Sequence, residues 1–133
     1  MITSVTHITR FVHNEDEALA FYRDVLGFEV HTDTMMDEKK RWLTLCTANQ
    51  KNFEVVLYNP HNWLEGQAQE IALAQIGHQA LLVLGSDDLD GLVAKLEQHK
   101  LNIVRPIGEM PWGRDLTFKD PFGDEVYVVQ PHA

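Results

Sequence analysis

The chain has few of the features that mark secreted and membrane proteins. Its one cysteine, Cys46, rules out an internal disulfide and is typical of a protein from a reducing compartment, so we expect a cytoplasmic location. No apolar run approaches the roughly 18 residues of a membrane span. The N-terminus shows no basic start followed by an apolar stretch, which a signal peptide would have. We therefore expect no membrane partner.

Basic residues are also scarce. Lysine and arginine total 11 against 20 acidic residues, and the formal net charge is -9. The only basic cluster is residues 39–41. Binding to a phosphate backbone needs clustered Lys and Arg, so we expect no nucleic-acid partner. The acidity is compatible with a cationic ligand and equally with charge that serves solubility.

Hydrophobic periodicity predicts the same order of elements in each half of the chain: strand, helix, strand, strand, strand. In the first half, Asn14 has the character of a helix N-cap, and Gly27 of a helix stop. The predicted strands of that half are residues 4–12, 27–34, 41–47 and 51–58. In the second half a helix follows Ser86 or Asp87, and the predicted strands are residues 78–84, 101–107, 112–119 and 124–130. The fold class is α+β, with modules at 1–60 and 77–133 and a linker at 61–76.

The two halves overlay with a shift of 71 residues, which indicates an internal duplication. The shift makes His7 equivalent to His78, and Glu54 equivalent to Glu125. Each histidine lies on the first predicted strand of its module and each glutamate on the last. Two imidazoles and two carboxylates suit a divalent ion such as Zn, Ni, Fe or Mn. The same four residues could equally be ordinary strand side chains.

Several motifs in the chain resemble the vicinal oxygen chelate superfamily, which includes glyoxalases, extradiol dioxygenases, fosfomycin-resistance enzymes and bleomycin-resistance proteins. The motifs are His7 followed by residues 18–30, then 41–44, 53–57 and 111–128, with Asp-Pro-Phe-Gly at 120–123. The resemblance spans almost the whole chain as one domain, 1–133. It implies paired βαβββ modules, with curved mixed sheets that enclose a cleft, often in a homodimer.

The resemblance also implies a small-molecule ligand and, in the metal-dependent members, a divalent ion held by a His and a Glu from each module. The ion acts there as a Lewis acid. At the last ligand position the chain departs from the family, because Tyr127 stands where the family has glutamate. Glu125 lies two residues earlier on the same strand face, and a Tyr hydroxyl can itself bind a ligand.

Two interpretations therefore follow from the sequence. The first is a metal-dependent lyase or dioxygenase that uses His7, Glu54, His78 and either Glu125 or Tyr127, whose phenolate can bind a metal. The second is a metal-free binding or drug-sequestration protein of the bleomycin-resistance type. For ligand binding we single out Tyr127, Trp42, Trp112 and Arg114, whose aromatic and cationic groups could contact a small molecule.

Overall fold

The computed structural model describes residues 1–132, and the chain divides into two compact units, Met1–Ile76 and Gly77–Ala133. In the first unit the elements are β1 (His7–Phe11), α1 (Glu15–Ala20), β2 (Glu29–Met35), β3 (Arg41–Thr47), β4 (Gln50–Tyr58), α2 (Pro60–Trp63) and α3 (Gly66–Gln75). In the second they are β5 (Leu82–Gly85), α4 (Leu89–Gln98), β6 (Ile103–Met110), β7 (Gly113–Lys119) and β8 (Glu125–Pro131). Both units have the predicted βαβββ order, and the α+β class is confirmed.

Each unit contains one four-stranded mixed sheet. The strand order is β1-β4-β3-β2 in the first and β5-β8-β7-β6 in the second. The first and last strands of each unit are parallel, and the remaining pairs are antiparallel. A helical crossover of a dozen or more residues is what a parallel pair requires, and α1 and α4 lie on these crossovers.

The first helix begins where the sequence predicts. The Asn14 side chain accepts a hydrogen bond from the backbone N–H of Glu17 at 2.9 Å, which caps an otherwise unpaired donor. After α1 the chain continues as one π-helical turn, Phe21–Val25, and Gly27 leaves it with φ 83°. Helix α4 of the second unit is capped by Asp88, whose side chain accepts a hydrogen bond from Gly91 N–H. This cap lies one or two residues after the predicted Ser86 or Asp87.

The core of the first unit lies between α1 and one face of its sheet. Leu43 and Leu45 of β3 and Leu57 of β4 are completely buried, and α1 contacts β4. Side chains alternate between the two faces of a strand. The intervening residues of β3 and β4 therefore lie on the face opposite α1, where the polar and aromatic groups gather.

The segment predicted as a linker is mostly helical, since α2 and α3 occupy much of residues 60–75. It belongs to the first unit, and α3 contacts β1. The Asn59 side chain explains the start of α2, because it accepts from the backbone N–H of His61 at 2.9 Å. Within residues 1–132 no helix combines the length and the apolar character that crossing a bilayer demands.

Candidate functional site

Glu54 on β4 is the centre of a polar cluster on the face opposite α1. In the parallel pairing of β1 with β4, His7 lies opposite Glu54. His7 Nε2 is 3.0 Å from Glu54 Oε2, and His31 Nδ1 is 3.0 Å from Oε1. The Thr44 hydroxyl donates to Oε1 at 2.7 Å. Both carboxylate oxygens thus have protein partners, and we call His7, His31, Thr44 and Glu54 the Glu54 cluster.

The exposure of these side chains shows how the cluster is layered. The Glu54 side chain is 16% exposed, whereas those of His7 and His31 are 37% and 39% exposed. The carboxylate therefore lies beneath two imidazoles that reach solvent. Thr6 Oγ1 is 2.8 Å from His7 Nδ1, so the second ring nitrogen of His7 also has a partner and the ring plane is fixed.

His31 is a member of the cluster that the sequence did not reveal. It lies in β2 between Val30 and Thr32, where the register with β3 shifts. An irregularity of this kind inserts a residue into the strand and turns its side chain. Strand alternation alone cannot locate such a turn, and no other signal in the sequence marks His31.

A run of aromatic rings continues from His7 along the same face. The ring centroids of His7 and Trp42 are 6.2 Å apart, and those of Trp42 and Trp63 are 6.3 Å apart with the rings nearly perpendicular. Trp63 stacks on Tyr58 at 5.3 Å and 22°, and Tyr58 lies 5.7 Å from Phe11. Each ring is half-buried and so keeps some surface free. We call Phe11, Trp42, Tyr58 and Trp63 the aromatic cluster.

Polar contacts hold the aromatic cluster in place. The Trp63 indole N–H donates to the backbone carbonyl of Arg41 at 3.2 Å. The Arg41 guanidinium is bound to the Asp33 carboxylate at 2.9 Å, and this hydrogen bond lowers the pKa of Asp33. Burial raises the pKa of the Tyr58 hydroxyl, so that ring stays neutral at physiological pH. Lys40 Nζ lies 5.8 Å from the Trp63 ring centroid, within cation–π distance.

The donor atoms of His7 and Glu54 can be compared with the needs of a metal ion. Ligand atoms at about 2.0–2.2 Å from an ion lie about 3 Å apart at neighbouring positions, and His7 Nε2 and Glu54 Oε2 are 3.0 Å apart. Yet residues 1–132 contain no group of three or more His, Cys, Asp or Glu side chains arranged to hold a metal. His31 Nδ1 has the same 3.0 Å spacing to Glu54 Oε1, so the first unit offers two histidine–glutamate donor pairs that share one carboxylate.

The second unit departs from the predicted equivalence at its first strand. The prediction that a strand begins at His78 is wrong, because β5 begins at Leu82 and His78 lies in a bend before it. Leu82 faces Val126, so the residue in line with Glu125 is Leu81. The pair that corresponds to His7 and Glu54 is thus Leu81 and Glu125, and His78 lies three residues too early.

The late start of β5 has a local cause. The buried Asp124 carboxylate accepts hydrogen bonds from the backbone N–H groups of Gly77 and Gln79 at 3.0 and 2.8 Å, and from the Gln79 side chain at 2.7 Å. These backbone donors are therefore bound to a side chain and not to a neighbouring strand. Asp124 follows the 120–123 turn, in which Gly123 N–H binds the Asp120 carbonyl at 3.0 Å, as in a β-turn.

Tyr127 belongs to a polar cluster on the second sheet. Its hydroxyl donates to Asp115 Oδ2 at 2.5 Å, and the Arg105 guanidinium donates to Asp115 Oδ1 at 2.8 Å. Asp115 is 1% exposed, and the hydrogen bonds from Arg105 and then Tyr127 lower the pKa of its carboxyl. The Trp112 indole N–H lies 3.4 Å from the Tyr127 hydroxyl, in the turn between β6 and β7. Tyr127 and Trp112, both predicted as ligand contacts, are thus brought together.

The other two predicted residues of this unit lie elsewhere. Glu125 is exposed at the start of β8, opposite Lys119. The Arg114 guanidinium binds the Asp90 carboxylate of α4 through two hydrogen bonds of 3.0 and 3.2 Å, with Glu109 at 3.5 Å. Arg114 is therefore engaged in ion pairs with its own unit.

The motifs and the fold agree with the comparison to known families. The chain belongs to the Glyoxalase/Bleomycin resistance protein/Dioxygenase superfamily, whose family model matches residues 4–127. A protein of Shewanella frigidimarina is 27% identical over 130 residues, which span 93% of this chain and 90% of that protein.

Two solved structures are similar over almost the whole chain. The UcmS2 crystal structure is 26% identical with a TM-score of 0.81, and the alignment covers 97% of this chain and 98% of that one. TnmS3, an antibiotic binding protein from Streptomyces sp. CB03234, is 25% identical with a TM-score of 0.72 and 98% coverage of both chains. The βαβββ fold expected from the sequence is thereby confirmed.

Proposed function

We propose that this protein binds a flat aromatic small molecule on the face of the first sheet opposite α1. The observation that carries the proposal is the aromatic cluster, in which four half-buried rings adjoin the Glu54 cluster through His7. A ring system that lies against these side chains gains apolar burial and ring–ring contact, while its polar end meets His7 and His31. The similarity to the antibiotic binding protein TnmS3 supports this choice of ligand class.

A cationic ring system is the favoured form of the ligand. The net charge of -9 raises the local concentration of cations, and the accessible parts of the half-buried Trp42 and Trp63 rings attract them. Bleomycin and a cationic fused-ring dye such as proflavine are therefore suitable probes. A neutral ring system of the same size is the matched comparison, and it separates the contribution of charge from that of stacking.

Titration of the full chain with these probes, followed by tryptophan fluorescence and thermal shift, tests the proposal. A ligand at 100 times its Kd stabilises the folded state by about 2.7 kcal/mol. We expect Trp63→Leu to weaken binding by about 2- to 12-fold, which corresponds to about 0.5–1.5 kcal/mol of ring–ring contact. Trp112→Leu, which changes the exposed turn of the other unit, should leave the affinity unchanged.

The outcomes distinguish the aromatic cluster from the predicted ligand contacts of the second unit. A loss with Trp112→Leu and none with Trp63→Leu would move the site to Tyr127, Trp112 and Arg114, and would contradict the proposal. Failure of every cationic and neutral ring system to bind would also contradict it.

A second candidate, favoured by the 3.0 Å spacing of His7 and Glu54, is metal-dependent chemistry. His7 and Glu54 would hold the ion, and the ion would supply Lewis-acid stabilisation of an oxyanion. Metal analysis of the purified protein after loading with Zn, Ni, Fe or Mn tests this candidate. Bound metal that persists in both His7→Ala and Glu54→Gln would contradict it.

We also propose that the chain forms a homodimer, as the resemblance implies. Sedimentation of the purified chain at several concentrations tests it, and a single monomer species throughout would contradict it. We also propose a cytoplasmic location, as expected from the single Cys46. Fractionation of the source cells tests this.

A further inference from the structure

We propose that His13 and His61 form a two-histidine site for a borderline divalent ion such as Cu²⁺, Ni²⁺ or Zn²⁺. His13 Nδ1 and His61 Nε2 are 3.2 Å apart, and the ring centroids are separated by 5.5 Å. Both residues are exposed. Neither belongs to the Glu54 cluster or to the aromatic cluster, so the inference does not depend on the proposed function.

The spacing of the two nitrogens suits an ion between them. Imidazole nitrogens bind zinc at about 2.0–2.1 Å, so two of them lie about 2.9 Å apart at a right angle and about 3.4 Å apart at the tetrahedral angle. The observed 3.2 Å falls between these values. The two rings lie end to end at hydrogen-bonding distance, so an ion must displace the proton that they share, and each ring must turn until its lone pair points at the ion.

One buried asparagine sets the positions of both histidines. Asn59 is 5% exposed, and its Oδ1 accepts from the His61 backbone N–H at 2.9 Å. Its Nδ2 donates to the His13 carbonyl at 3.3 Å and to Glu15 Oε1 at 2.7 Å. The two backbones are thus cross-linked through a single side chain, although the histidines are 48 residues apart in sequence.

This cross-link matters because it holds the two backbones in place, so that binding an ion orders only the side-chain torsions of the two histidines. Imidazole donors favour Cu, Ni and Zn over Mg or Ca, which prefer oxygen. Two protein donors leave the remaining positions of the ion to water or to a donor atom of another molecule. The site would therefore present an ion with open coordination at the surface of the first unit.

Calorimetric titration of the full chain with Cu²⁺, Ni²⁺ and Zn²⁺ tests the proposal. We expect His13→Ala and His61→Ala each to weaken the binding of one ion by about tenfold or more. The double variant should lose little beyond either single variant, because one imidazole alone no longer chelates. His99→Ala, at the exposed end of α4 in the other unit, is the matched control and should change nothing.

A second readout distinguishes the pair from scattered surface histidines. The electron paramagnetic resonance spectrum of the Cu²⁺-loaded chain should show two imidazole nitrogens, reduced to one in His61→Gln, a variant that retains a hydrogen-bonding amide. Asn59→Ala, with both histidines present, should also weaken binding. Binding that is unchanged in the double variant, or that His99→Ala weakens as much as His61→Ala, would overturn the proposal.

Discussion

Replacing Glu54 by glutamine probes the polar centre of the first unit. The carboxylate accepts from Thr44 at 2.7 Å and faces His7 and His31 at 3.0 Å each. Glutamine keeps one acceptor oxygen and presents an amide N–H₂ where the other oxygen was. At least one hydrogen bond to the carboxylate is therefore lost, or its donor and acceptor are exchanged. The contacts that remain to Thr44, His7 and His31 no longer involve a charged group at position 54.

The size of the effect follows from these contacts. A hydrogen bond to a charged group contributes about 1.5–3 kcal/mol, and the low exposure of Glu54, 16%, limits screening by water. We expect the free energy of unfolding to fall by about 1.5–3 kcal/mol at neutral pH. For a chain of 133 residues, that corresponds to a Tm lower by roughly 5–12 °C.

Urea denaturation followed by circular dichroism measures this change. Glu29→Gln makes the same chemical substitution at an exposed position of β2 and is the matched control. A double-mutant cycle with His31→Ala measures the coupling energy between Glu54 and His31, because the stability changes of residues in direct contact do not add. If Glu54→Gln costs no more than Glu29→Gln, the Glu54 cluster does not stabilise the fold as argued.

Three further predictions concern stability. Asn14→Ala should cost about 1 kcal/mol, because it removes the cap of α1, and a urea midpoint close to the wild-type value would contradict this. Gly113→Ala should cost about 1–3 kcal/mol, because Gly113 has φ 147° and an added Cβ would lie 2.2 Å from the Gln130 carbonyl oxygen; an unchanged Tm would contradict it. The pKa of Asp115 is lowered from 3.8, so its stabilising contribution is present at neutral pH and is lost as the pH falls below about 4 through the lowered value. Asp115→Asn should therefore be less stable at pH 7 and lose less stability on acidification than wild type, and parallel pH profiles would contradict this.

The parts of the fold that follow local rules could be predicted from the sequence. The bounds of β3 are the predicted ones, and β4 differs by one residue, because strand alternation and the Asn59-Pro60 stop are local signals. The cap at Asn14 follows from its side chain alone. The bounds of β2 and β6 shift by one to three residues, as element ends depend on tertiary contacts.

The site was harder to predict, because its geometry depends on pairing register. The last strands of the two units keep the predicted shift of 71, from Tyr58 to Val129, whereas the first strands need a shift of 74, from Phe11 to Gly85. A single shift cannot describe both the first and the last strands. The shift of 71 therefore matched His7 with His78, whereas Leu81 occupies the position equivalent to His7.

We propose that an aromatic ligand binds on the face of the first sheet that bears the aromatic cluster. Chemical-shift mapping of the ¹⁵N-labelled chain, titrated with proflavine, tests it most directly. We expect the indole N–H signals of Trp42 and Trp63 to shift together and to saturate, along with backbone signals near Phe11 and Tyr58. Saturable shifts confined to Trp112 and its neighbours, with the two other indoles unmoved, would contradict it.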